Sequence, residues 1–200
     1  MNGDRTTDQM STRCSIMIRQ IARAAAFAGA AAISAGCATS PSLTLPAVPD
    51  NLRAPAGQRI TLEAQATGVQ IYECNVSKSD PARFEWIFKS PQAVLYDGAG
   101  KEIGKHYAGP TWELNDGSKA VGEAIARDDG PDPNAIPWLL LKAKSASGDG
   151  VLGKTQSVQR LRTVGGKAPA PGCTREQAGS EARMPYKATY YFYALPSYSY

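Results

Sequence analysis

Lys101-Glu102-Ile103-Gly104-Lys105-His106-Tyr107-Ala108-Gly109-Pro110-Thr111-Trp112-Glu113-Leu114-Asn115-Asp116-Gly117-Ser118 decides how the chain folds. Its two short runs alternate with period two, the pattern of a strand with one buried face, and Gly109-Pro110 breaks the chain between them. Upstream, Ala93-Val94-Leu95-Tyr96 and the turn Asp97-Gly98-Ala99-Gly100 complete one hairpin. Downstream, Asn115-Asp116-Gly117-Ser118 turns Thr111-Trp112-Glu113-Leu114 into Lys119–Ala126, a second hairpin. The stretch is therefore a join between two β-hairpins, and it also carries the only histidine of the chain.

The same reading extends outward. Arg59–Ala64 and Val69–Val76 alternate and are β-branched, so they are expected as two strands joined at Ala66-Thr67-Gly68. Phe84, Trp86 and Phe88 fall on one face of a third strand and are expected in the core. Ile136–Ala143 is apolar enough for a strand buried on both faces, and Arg160 and Arg162 share one face of the strand ending at Val164. The closing segment Tyr186–Tyr193 is aromatic on both faces, as an interior strand is. Helical pattern is confined to a turn near Thr174–Gly179. Together these give an all-β fold, an antiparallel sandwich or partly closed barrel of about nine short strands.

Residues 1–36 read as a signal peptide whose start is Met1 or, more compactly, Met17: Arg19 and Arg23 precede the short apolar run Ala24–Ile33. That run is too short to span a bilayer, which takes about 20 residues. Small residues before Cys37 resemble the bacterial lipobox, with Ser34 where leucine is usual, so Cys37 is expected to be lipidated and to anchor the protein to a membrane without a transmembrane helix. Residues 37–57, with four prolines, read as an extended tether, and 58–200 as a single β domain. Localisation follows: exported, on the periplasmic side of a bacterial envelope or secreted.

The formal net charge of +4 shrinks once the leader is set aside, because Arg5, Arg13, Arg19 and Arg23 lie in it against Asp4 and Asp8. No basic run remains to make a nucleic-acid footprint. With Cys14 removed and Cys37 lipidated, Cys74 and Cys173 remain, and an oxidising compartment pairs them as a disulfide. Two thiols without CxxC spacing do not make a zinc site. Asp128-Asp129-Gly130-Pro131-Asp132-Pro133-Asn134 lacks the order of a calcium loop. No metal or cofactor is expected.

Catalysis would have to recruit His106, with Glu113 or Asp116 as a carboxylate partner and Ser118 as a nucleophile, for a hydrolytic enzyme. No G-x-S-x-G elbow supports it. The favoured reading is a non-catalytic binding module using Tyr72, His106, Tyr107, Trp112 and Trp138, aromatics suited to a carbohydrate, lipid or peptide ligand. A purely structural envelope component is the third reading, and the oligomeric state leaves no mark in the sequence.

One family resemblance covers nearly all of the mature chain. The order Gly68-Val69-Gln70-Ile71-Tyr72-x-Cys74, Pro91-x-Ala93-x-Leu95, Gly104-x-His106-Tyr107-x-Gly109-Pro110-x-Trp112, Asp116-Gly117-Ser118 and Ile136-Pro137-Trp138-Leu139-Leu140 resembles the domain of unknown function 3455 family. It continues through Gln159-Arg160, Thr163-x-Gly165-Gly166 and Cys173 to Tyr186-x-Ala188-x-Tyr190-x-Phe192-Tyr193. The resemblance implies a single secreted or envelope domain with no activity attached. The malate dehydrogenase label of some fungal relatives finds no support, since no G-x-G-x-x-G opens a βαβ unit.

Overall fold

The computed structural model describes residues 47–196. The leader and the expected lipidation of Cys37 lie outside them. Eight antiparallel strands form one sheet: β1 (Arg59–Val76), β2 (Phe84–Tyr96), β3 (Glu102–Tyr107), β4 (Thr111–Leu114), β5 (Lys119–Asp128), β6 (Trp138–Ser147), β7 (Ser157–Gly165) and β8 (Glu181–Ala194). Each pairs with the next, and β1 also pairs with β8, so the sheet closes into an irregular barrel. The expected all-β class holds, with fewer and longer strands.

The expected joint at Ala66-Thr67-Gly68 is absorbed into a strand. It lies inside β1, where Gly68 faces Ala93 of β2 and Tyr186 of β8. A Cβ on Gly68 would sit 2.1 Å from the Gln92 carbonyl oxygen, so this glycine permits close strand approach and makes no turn. Ser90-Pro91 likewise lies within β2, beside a bulge that opposes Ile71 to Ser90 but Tyr72 to Phe88 and leaves Lys89 as the extra residue.

The barrel has an upper end, at the β3–β4 turn, and a lower end, at the β4–β5 turn. A 3-10 turn, Val151–Lys154, plugs the lower end by inserting the fully buried Leu152 among Leu114, Leu141 and Val158. Ser118, expected as a possible nucleophile, is buried there, its hydroxyl accepting a bond from Leu152 N at 3.2 Å. Asp116 accepts from Ser118 N at 2.8 Å. Both residues are turn and plug chemistry.

The described part of the Pro-rich segment, expected as a tether, packs against the barrel. A 3-10 turn at Asp50–Leu52 lays Leu52 on the outer face of β6–β8, in a second core with Leu140, Leu161, Tyr191 and Tyr193, and Gln159 Nε2 donates to Leu52 O. This cover explains why Ile136–Ala143 and Tyr186–Tyr193 read as buried on both faces. Tyr186, Tyr190 and Phe192 point into the barrel, whereas Tyr191 and Tyr193 point into the second core.

The aromatic strand differs from expectation. Phe84 and Trp86 are only partly buried and Phe88 is 51% exposed, because that part of β2 pairs with β1 near the upper rim. The face is covered instead by the loop after β7: Trp86 Nε1 donates to Gly172 O at 3.0 Å, and the Arg175 guanidinium lies 5.3 Å from the Phe84 ring. The expected disulfide, Cys74–Cys173, pins that loop down.

Candidate functional site

In-register pairing places Gly68, Ala93, His106, Trp112 and Ala120 in one row across β1 to β5, on the inner face. Gly68 and Ala93 leave room, and the row is dominated by two flat rings. His106 stacks on Trp112 with centroids 4.7 Å apart and planes at 11°, and Tyr190 from β8 leans on both. Above this group the barrel opens into a pocket of about 390 Å3. Phe88, Pro110 and Ala124 form its rim, and Gln70, Pro91, Leu139, Leu141 and Arg160 its walls.

The opposite side of the upper end is filled by the chain itself. Ile136 is buried there, with its N–H donating to Gly165 O at 2.8 Å, and Tyr72 OH donates to Gly166 O at 2.7 Å. Thr163 Oγ1 donates to Ile136 O at 2.6 Å. Arg160 holds the next carbonyl, Pro137 O, with Nε at 3.1 Å and Nη2 at 2.8 Å.

His106 is 3% exposed, and its Nδ1 lies 2.8 Å from Thr111 O. A carbonyl only accepts, so Nδ1 carries the proton and Nε2 is left as a bare acceptor. Burial lowers the pKa to about 3, the bond to Thr111 pulling the other way and the Arg160 charge lowering it further. The ring is therefore neutral at ordinary pH and a weak base. The unfolded chain takes up its proton near 6.5, before the folded chain does, so this contribution to stability is complete above about pH 6.5 and is lost as pH falls toward 3. Between pH 6.5 and 5, wild-type stability is expected to fall faster than that of His106→Gln, by up to about 1.4 kcal/mol per pH unit. Urea unfolding of both proteins across that range measures it, and parallel curves would contradict the assignment.

The sequence candidates separate by face. Glu113 stands opposite Lys105 in the register, on the outer surface, where it accepts from Tyr107 OH at 2.6 Å and pairs with Lys119 and Lys105 at 3.2 and 3.4 Å. The Tyr107 bond, then Lys119, hold its carboxyl down at about 2. His106 and Glu113 are thus on opposite faces of the sheet, and acid–base catalysis by that pair has no geometric basis. Asp116 and Ser118 lie at the far end of the barrel. Tyr107 is outside, Trp138 packs into the outer core, and Tyr72 lies in the filled half behind Phe88, with ring centroids 5.7 Å apart. Of the expected binding set, the pocket brings together His106 and Trp112.

Gln70, Tyr190 and Arg160 were not singled out as site residues. Arg160 and Arg162 do not share a face: the register slips between Leu161 and Val164, Arg162 takes φ +49, and its guanidinium lies outside over Tyr191. Arg160 remains inside, opposite Leu139 and Tyr190. Three lining residues keep a polar atom buried without a hydrogen-bond partner among the described residues: Gln70 Nε2, Trp112 Nε1 and Tyr190 OH. Such atoms are costly to a fold, and with almost no accessible surface they lie behind the pocket wall, where Tyr190 has Tyr186 and Arg160 as polar neighbours. Among the described residues no cluster of His, Cys, Asp or Glu could hold a metal ion.

A family model described as a protein of unknown function, DUF3455, matches residues 55–194, which span all eight strands. No curated protein and no solved structure matches the chain.

Proposed function

The chain belongs to the DUF3455 family, and from that premise we propose that it is a non-catalytic ligand-binding barrel of the cell envelope, exported and lipid-anchored through Cys37. The family supplies no activity, so the reading rests on the site. The observation that carries it is the upper pocket of about 390 Å3, apolar in most of its lining and provided with a few convergent polar groups. The disulfide supports an oxidising compartment. A neutral, acceptor-only His106 with Glu113 on the other face of the sheet favours binding over hydrolysis.

Ala124 is exposed at the rim, so Ala124→Trp places a large ring over the pocket without disturbing the core. The full chain is expected to enhance the fluorescence of the neutral probe N-phenyl-1-naphthylamine, and Ala124→Trp to reduce that enhancement at least about fivefold. A probe that does not bind, or binds both proteins equally, would sink the reading.

A further inference from the structure

We propose that the pocket takes an amphipathic monocarboxylate, its carboxylate on Arg160 and its apolar part against Trp112, Leu139 and Leu141. This rests on the pocket reading above and assigns its ligand class. Lys89 and Arg160 are the charged residues of the lining, and no acidic side chain joins them. Lys89 is already neutralised at the rim by Glu73 and Glu181, each at 2.8 Å. Arg160 has no carboxylate within 4.0 Å among the described residues. A cation partly withdrawn from water without a counter-ion is an unbalanced charge, and an anionic ligand balances it.

The geometry of the donors selects the head group. Pro137 O takes one Nε and one Nη2 hydrogen of the guanidinium, which leaves further N–H donors of a planar fork suited to a carboxylate. One uncompensated guanidinium matches a single negative charge, whereas a phosphate dianion would leave a buried excess. His106, neutral and with Nδ1 occupied, supplies no second cation. The rest of the lining offers hydrocarbon and aromatic surface, so the remainder of the ligand is apolar.

Displacement of N-phenyl-1-naphthylamine from the full chain by decanoate, decanol and decyl phosphate separates the possibilities. Decanoate is expected to displace the probe at roughly tenfold lower concentration than decanol, and Arg160→Gln to abolish that advantage while leaving decanol unchanged. Arg160→Lys keeps the positive charge but not the planar fork and is expected to weaken decanoate alone by about two- to tenfold. Circular dichroism establishes folding; if Arg160→Gln fails to fold, Arg160→Lys and the wild-type preference decide. Equal displacement by decanoate and decanol, or an advantage that survives in Arg160→Gln, overturns the carboxylate assignment and leaves the pocket standing. Decyl phosphate outcompeting decanoate overturns it as well. A probe that never binds removes both readings.

Discussion

Replacing Cys74 and Cys173 together with serine is expected to lower stability by about 4–5 kcal/mol, the loop-closure contribution of a cross-link with a sequence separation of 99. The open form gains chain entropy because residues nearly a hundred positions apart are no longer held together. The folded form loses local order as well. Around the bridge, Gly179 N donates to Cys74 O and Cys74 N donates to Ser180 O, both at 2.9 Å, and Trp86 reaches Gly172 O. These bonds tie the loop to β1 and β2, and each weakens when the covalent pin is gone. Denaturant unfolding of wild type and the double variant measures the loss. Hydrogen exchange is expected to rise first in residues 166–180, while the Ile136 N–H, bonded to Gly165 O, stays protected. A stability change below about 1 kcal/mol would mean that the loop is held by its hydrogen bonds alone.

Trp112→Ala is expected to cost about 3–5 kcal/mol. The indole is 1% exposed, stacks on His106, and meets the rings of Tyr190 and Phe192 edge-on at 5.3 and 5.7 Å. On its far side, Gly122 makes room: a Cβ there would lie 2.9 Å from Trp112 Cζ3. Removal leaves a void that the backbone of a closed sheet cannot collapse to fill. A fall in melting temperature of roughly 10 °C corresponds to that range for a domain of this size. Trp112→Phe is expected to lose much less, because it keeps a ring and discards an indole N–H that has no partner among the described residues. If both variants lose equally, the N–H and not the ring volume is what matters.

The hairpin join at His106–Ser118 was fully legible, because turn chemistry at Gly109-Pro110 and Asn115–Ser118 coincides with a change of strand. The long strands were not. Gly68 and Ser90-Pro91 carry ordinary turn composition, and only the neighbouring strand's approach shows that β1 and β2 run straight through them. Burial on both faces of β6 and β8 was readable from apolar content, while its cause, the cover supplied by Leu52, was hidden in a Pro-rich segment with little periodicity. The site was half legible. His106 and Trp112 lie six positions apart and pair directly across the β3–β4 hairpin, so local reading suffices to place them together. Glu113 and Tyr107 sit among them in sequence yet face outward, as strict alternation requires. Arg160, Gln70 and Tyr190 reach the pocket from strands distant in sequence. Two arginines in one short strand were the available signal, and the register slip at Arg162 concealed which of them faces inward.

Leu152 has a consequence for traffic. On the binding role proposed above, the plug at the lower end makes the barrel a dead end and not a conduit: a ligand that enters past Phe88 and Ala124 departs by the same door. Occupancy then follows the concentration at a single opening, and loading and unloading compete for one route. A binding barrel of that form would store its ligand or report its level and would not pass it through.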